Sequence, residues 1–200
     1  MSTPRTMFDK IWTQHVITQR EGEALLYVDR NFVHEGAFHA FAQLAKEGRK
    51  VRKPRQTFAT AESLTGGLVA ATVVEIPGVS AVYRGGLVAY ATDLKHLLAG
   101  VPEKLLVDRG PVDADVALAL AAGARERCAA DWGLATTGVA GPESQDGKPV
   151  GLVFVAVAGP AGATVRELRL TGNRAAVRTQ SVTAVLNLFV GELRSTPAPA

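Results

Sequence analysis

An unbroken apolar run, Gly151-Leu-Val-Phe-Val-Ala-Val-Ala158, constrains this chain more than any other feature. Successive side chains of a strand point to opposite faces, so a run with no polar alternation has to be covered on both. Helices on the two faces of a sheet meet that demand. Ala163–Leu170 reads as a neighbouring strand, and Gly159-Pro-Ala-Gly162 between the two reads as a hairpin turn. Elsewhere strands alternate with helices. Alternation plus one hairpin predicts an α/β fold, a three-layer α/β/α sandwich with a mixed sheet.

The remaining elements fit that frame. Thr57–Ala61 reads as a short strand, and Leu64–Glu75 as a helix stopped by Pro77-Gly78. Ala81–Thr92 is strand-like, and Gly85-Gly86 within it predicts a bulge. Leu94–Ala99 is a short helix. Asp113 is expected to cap a longer helix through Ala130, with Val116, Leu120 and Ala124 on one face. Leu134–Thr137 is a strand followed by a glycine-rich turn. Arg174–Leu193 closes the domain as a helix with Val177, Ser181, Val185 and Leu188 on one stripe. Ser195–Ala200 is disordered by composition.

A length of 200 residues suits one domain with an appended segment. Composition changes near Pro54. Residues 1–55 are mostly polar and hold both methionines, whereas 57–193 are rich in Ala, Gly, Val and Leu. The expected division is an atypical N-terminal segment (1–55), a domain (56–194) and a tail (195–200). The formal net charge is +3, and much of the basic excess lies between Lys46 and Arg55. That run has no interleaved aromatics, so it reads as a solvated linker and not as a nucleic-acid surface. No apolar run reaches the length of a membrane span. The N-terminus lacks the apolar core of a secretory signal, so a cytoplasmic location is expected. The single cysteine, Cys128, rules out an internal disulfide and reads as a small core residue.

Four segments carry chemistry. Thr60-Ala-Glu-Ser-Leu-Thr-Gly-Gly67 leaves a strand and enters a helix, where free amides can hold an oxyanion or a phosphate. Ser63 there is either a nucleophile or only a helix cap. Tyr90-Ala-Thr-Asp-Leu-Lys95 offers a phenol and an amine. Burial turns such an amine into a base, and a phenol can relay its proton, yet both residues also suit ordinary surface positions. Thr136-Thr-Gly-Val-Ala-Gly-Pro142 and Gly147-Lys-Pro-Val-Gly151 mark a ligand-facing loop or a plain tight turn. A Walker loop is excluded, because the spacing is one residue too long and Pro149 stands where Ser or Thr is needed. Thr171-Gly-Asn-Arg-Ala-Ala-Val-Arg178 places two arginines four apart, either for a phosphate or on a solvated face.

Taken in order, Ala61-Glu-Ser63, Thr65-Gly-Gly67, Pro77-Gly-Val-Ser80, Gly85-Gly-Leu-Val-Ala-Tyr90, Lys95, Thr137-Gly-Val-Ala-Gly-Pro142, Gly147-Lys-Pro-Val-Gly151 and Gly172-Asn-Arg174 resemble the CinA C-terminal domain family, the nicotinamide-nucleotide amidohydrolases. The resemblance covers nearly the whole family domain. It implies an amidase of the pyridine-nucleotide salvage type, acting on nicotinamide mononucleotide. Ser63 would attack the carboxamide, with Tyr90 and Lys95 as its activating partners. Amides near Thr65 and Gly66 would hold the oxyanion, and Gly67 would lie against the substrate. Thr137, Gly138, Arg174 and Arg178 are implied substrate contacts, and neither a metal nor a cofactor is implied. Two departures stand out: Thr92 where the family often has Asn, and Asn173 where it often has Asp.

The opening residues resemble something else. Thr6-Met-Phe-Asp-Lys-Ile-Trp12, Leu26-Tyr-Val-Asp-Arg30, Val33-His-Glu35 and Gly48-Arg-Lys-Val-Arg-Lys-Pro54, over residues 6–60, are similar to the N-terminus of the 3-isopropylmalate dehydratase large subunit. That chemistry needs an iron–sulfur cluster held by three cysteines, and one cysteine excludes it. Residues 6–35 are expected to form a small hairpin or a partner-binding arm, and Gly36–Glu47 a helix. His34 and His39 lack helical metal spacing and read as structural. The alternatives to an amidase are a silent nucleotide-binding or assembly module and an inert fusion product. No membrane or nucleic-acid partner is expected, and a homodimer is.

Overall fold

The computed structural model describes residues 16–20, 23–26 and 56–195. Two compact units divide the chain, Met1–Val51 and Arg52–Ala200. In the first, β1 (Val16–Arg20) and β2 (Glu23–Leu26) pair antiparallel as a hairpin. The expected helix at 36–47, His34, His39 and the residues after Ser195 lie outside the described residues. Ser195 itself still belongs to the last helix.

The second unit is an α/β sandwich. Its elements are β3 (Phe58–Glu62), α1 (Leu68–Val74), β4 (Tyr83–Val88), α2 (Thr92–Ala99), α3 (Glu103–Arg109), α4 (Ala114–Arg127), β5 (Trp132–Gly138), β6 (Leu152–Gly159), β7 (Gly162–Arg169) and α5 (Arg174–Ser195). The five-stranded sheet runs β4-β3-β5-β6-β7. β3 pairs parallel with β4 and β5, while β5–β6 and β6–β7 are antiparallel, so the sheet is mixed.

β6 is buried along its whole length and feeds both faces. Val153, Val155 and Val157 join Val177, Val182, Val185 and Leu188 of α5 on one side. Phe154, Ala156 and Ala158 join Val116, Leu120, Ala121 and Ala124 of α4 on the other. Asp113 caps α4 by accepting from the Asp115 amide. The hairpin turn is the expected one, with Gly159 paired to Gly162.

Four elements depart from expectation. The first helix begins at Leu68 and not at Leu64, because Gly66 (φ +58°) and Gly67 (φ +93°) take left-handed conformations that no α-helix contains. The second strand is shorter, Tyr83–Val88, and its register shifts opposite Phe58 and Ala59, just ahead of Gly85. The helix α3 has no counterpart in the sequence reading, and α4 ends at Arg127, before the left-handed Ala129 (φ +48°).

The chain order of the parallel strands positions the site. The link from β3 to β4 runs through α1, which packs with α5 on one face. The link from β4 to β5 runs through α2, α3 and α4 on the other. The connections leaving β3 and β4 therefore diverge. A cleft opens at such a switch point, beyond the carboxyl ends of the strands.

Close packing between α2 and α4 supplies a test. A Cβ on Gly123 would stand 1.8 Å from the Ala99 carbonyl oxygen. Gly123→Ala gains about 1 kcal/mol of helix propensity, but overpacking against backbone costs about 1–3 kcal/mol. Urea unfolding should show net destabilisation; a stabilised variant would contradict the tight α2–α4 contact.

Candidate active site

Ser63 follows the last residue of β3, and its amide bonds the Thr136 carbonyl at 3.0 Å, extending the ladder to β5. The chain then turns. The Gly66 amide donates to the Ser63 carbonyl at 3.0 Å, closing a turn over Ser63–Gly66. Ser63 is thus not in the first turn of a helix but in a tight turn ahead of α1.

Glu62 holds that turn from one side. The glutamate is 1 % exposed. Its carboxylate accepts from Thr65 Oγ1 at 2.7 Å, the Gly67 amide at 3.0 Å, the Val69 amide at 2.9 Å and the Ala70 amide at 2.8 Å. The last two are orphan donors at the start of α1, where a carboxylate is favoured. Thr65 Oγ1 also meets Thr136 Oγ1 at 2.8 Å. Glu62 was not among the site residues expected from sequence. An acidic residue closing an apolar strand ahead of a helix was the available signal, since such residues are buried only when fully partnered.

Lys95 comes from α2. It is buried to 1 % exposure, the largest fully buried side chain described. Its Nζ lies 3.0 Å from Ser63 Oγ, 3.1 Å from the Ala89 carbonyl and 3.4 Å from the Tyr90 carbonyl. Among the described residues it forms no ion pair. Burial pushes its pKa down from 10.5 to about 8, against the opposing charge of Asp93. When the amine is neutral, its two hydrogens suit the two carbonyls. The lone pair then faces Ser63 Oγ, which becomes the donor. That is the geometry of an activated hydroxyl.

A pocket of about 280 Å³ opens above this pair, lined by Ser63, Lys95, Thr92, Gly138, Glu143 and Arg174 among others. Tyr90 also lines it, but the structure does not bring its hydroxyl to Lys95. The phenol is 55 % exposed and accepts from Arg174 Nη2 at 2.7 Å, while the Tyr90 carbonyl serves Lys95. Arg174 Nη1 also donates to the Gly141 carbonyl at 2.6 Å.

Other expected site residues are engaged elsewhere. Thr137 is fully buried and donates to the Pro111 carbonyl at 2.6 Å, outside the pocket. Arg178 donates to the Leu64 and Thr65 carbonyls, behind the turn. The Gly66 and Gly67 amides are spent on Ser63 and Glu62. Thr65 faces Glu62 and Thr136. Gly138 does line the pocket. Asn173 Oδ1 accepts from the Ala176 amide at 2.9 Å, a helix-capping role that Asp would fill equally. Glu143 and Gln145, which the sequence reading did not single out, join the lining. Among the described residues no group of three or more His, Cys, Asp or Glu is placed to hold a metal, and no helix is long and apolar enough to cross a membrane.

The family model for the CinA C-terminal domain matches residues 42–193. A CinA-like protein of Frankia casuarinae is 48 % identical over 141 residues, 70 % of this chain and 33 % of that protein. A CinA-like protein of Synechococcus is 43 % identical over 186 residues, 88 % of this chain and 45 % of its own length. The chain thus spans a third to under half of these relatives. The likeness to the second reaches into the segment ahead of residue 55. Among solved structures, the competence/damage inducible protein CihA from Agrobacterium tumefaciens is 33 % identical with a TM-score of 0.66, covering 81 % of this chain and 98 % of that one.

Burial of Lys95 has a consequence for stability. The folded amine titrates at about 8 and the unfolded one at 10.5. Between those values the unfolded state binds more protons, so stability rises with pH through that window. Lys95→Met removes this contribution. Relative to that variant, the native chain is expected to gain up to about 3 kcal/mol between pH 7 and pH 10.5 in urea titrations. A pH-independent difference would show an amine as solvated as a free lysine.

Proposed function

The chain belongs to the CinA C-terminal domain family, and from that premise we propose that it hydrolyses the carboxamide of nicotinamide mononucleotide to nicotinate mononucleotide and ammonia. The observation that carries this reading is the buried amine of Lys95, 3.0 Å from Ser63 Oγ at the base of a pocket. In the proposed reaction, neutral Lys95 takes the Ser63 proton as Oγ bonds to the carboxamide carbon. The carbonyl π electrons move onto oxygen, giving a tetrahedral oxyanion. Its collapse breaks the C–N bond, and the Lys95 ammonium returns its proton to the departing ammonia. Water then adds to the Ser63 ester with Lys95 again as base, and the carboxylate leaves as Ser63 regains its proton.

The geometry supports particular roles. The Leu64 and Thr65 amides donate to no acceptor among the described residues, and they follow Ser63 directly, so they are the proposed oxyanion donors. Tyr90 acts twice: its carbonyl steadies Lys95, and its hydroxyl orients Arg174. Arg174 then presents a cation at the pocket for the anionic part of the nucleotide. Thr137 supports the wall through Pro111.

The test is ammonia release from nicotinamide mononucleotide by the purified chain. Ser63→Ala is expected to abolish it. The log of kcat/KM should climb by one per pH unit and level off above the Lys95 pKa of about 8. Tight nucleotide binding without turnover would leave a silent binding module; turnover that survives Ser63→Ala would rule out the serine mechanism.

A further inference from the structure

Arg178 stands one helical turn after Arg174 on α5, yet it points to a different place. Its Nε donates to the Leu64 carbonyl at 3.1 Å and its Nη2 to the Thr65 carbonyl at 2.6 Å. It does not line the pocket. Both acceptors are carbonyls of the turn that begins at Ser63.

A trans peptide is planar, and its N–H points opposite to its C=O. Holding the Leu64 carbonyl toward α5 therefore turns the Thr65 amide away from α5. Holding the Thr65 carbonyl turns the Gly66 amide in the same sense, and that amide is found on the Ser63 carbonyl. The guanidinium lies against the turn, since a Cβ on Gly66 would stand 3.8 Å from Arg178 Nη2, an ordinary van der Waals contact. A cation on a carbonyl oxygen also polarises the amide behind it, which makes that amide a stronger donor. Glu62 grips the opposite side of the turn through Thr65 Oγ1 and the Gly67 amide. The turn is thus clamped between a guanidinium on its carbonyls and a carboxylate on its donors.

We propose that Arg178 is a positioning residue for the reaction, and that by fixing the Leu64 and Thr65 carbonyls it aims the Thr65 amide at the oxygen that becomes negative when Ser63 attacks. The proposal rests on the amidase reading and replaces the expectation that Arg178 contacts substrate. Arg178→Met keeps much of the bulk and removes every donor. Arg178→Lys keeps the charge and can hold one carbonyl. Loss of one oxyanion donor lowers kcat by about 10²–10³-fold. Arg178→Met is expected to fall by about 100-fold in kcat at nearly unchanged KM, with partial recovery in Arg178→Lys.

A second measurement needs no nucleotide. Phosphonylation of Ser63 by a fluorophosphonate also builds negative charge on an oxygen beside the serine. Its rate should drop in the same order, wild type above Arg178→Lys above Arg178→Met. A raised KM at unchanged kcat would make Arg178 a substrate contact and overturn the proposal, as would labelling of both variants at the wild-type rate. Should Arg178→Met not fold, the Arg178→Lys rates decide. If the wild type releases no ammonia, the amidase reading fails alone and the labelling rates still judge Arg178. A wild-type Ser63 inert to the fluorophosphonate sinks both.

Discussion

An amine buried to 1 % exposure with no carboxylate in contact among the described residues is the constraint on which the site depends. A protonated lysine in such a place loses its hydration, the charge of Asp93 offsets that loss only in part, and the proton is held less tightly than on a free lysine. The Ala89 and Tyr90 carbonyls satisfy the hydrogens that remain, and Ser63 Oγ completes the set. The same burial that makes Lys95 costly to protonate is what suits it to the base role proposed for it.

The fold brings the pair together through the order of its parallel strands. Ser63 leaves the end of β3, and Lys95 sits on the helix that follows β4, the strand beside it. Because α1 and α4 cover opposite faces, the ends of those strands stay open to a ligand. Two buried ionisable side chains, each bonded to the turn at Ser63, have different partners. Glu62 accepts from Thr65 and three backbone amides, which hold the turn. Lys95 finds only neutral partners, and its proton becomes labile.

Much of this was legible in the sequence, for physical reasons that differ by element. The run at Gly151–Ala158 required cover on two faces, and β6 has it. Gly159-Pro-Ala-Gly162 encoded its own turn, and Asp113 its own cap. Ser63 and Lys95 were identifiable as motif residues, and the structure sets them in contact. Local pattern failed where tertiary partners decide. Gly66 and Gly67 delay α1, because the turn needs left-handed φ to present amides to a glutamate that propensity cannot see. Arg174 and Arg178 look equivalent in sequence, but one turn of helix sends the first to the pocket and the second behind the turn that begins at Ser63. Thr137 sits in the glycine-rich motif, yet it is buried behind the pocket wall, where it bonds the carbonyl of the wall residue Pro111.

The most direct test of the account is the titration of Lys95 itself, followed by NMR through its ε-carbon in the unliganded chain, with Lys95→Met to assign the signal. A midpoint at about 8 is predicted, with Ser63→Ala perturbing the same resonance. A midpoint at the ordinary value of 10.5, indifferent to Ser63→Ala, would mean a solvated ammonium and would contradict the central claim.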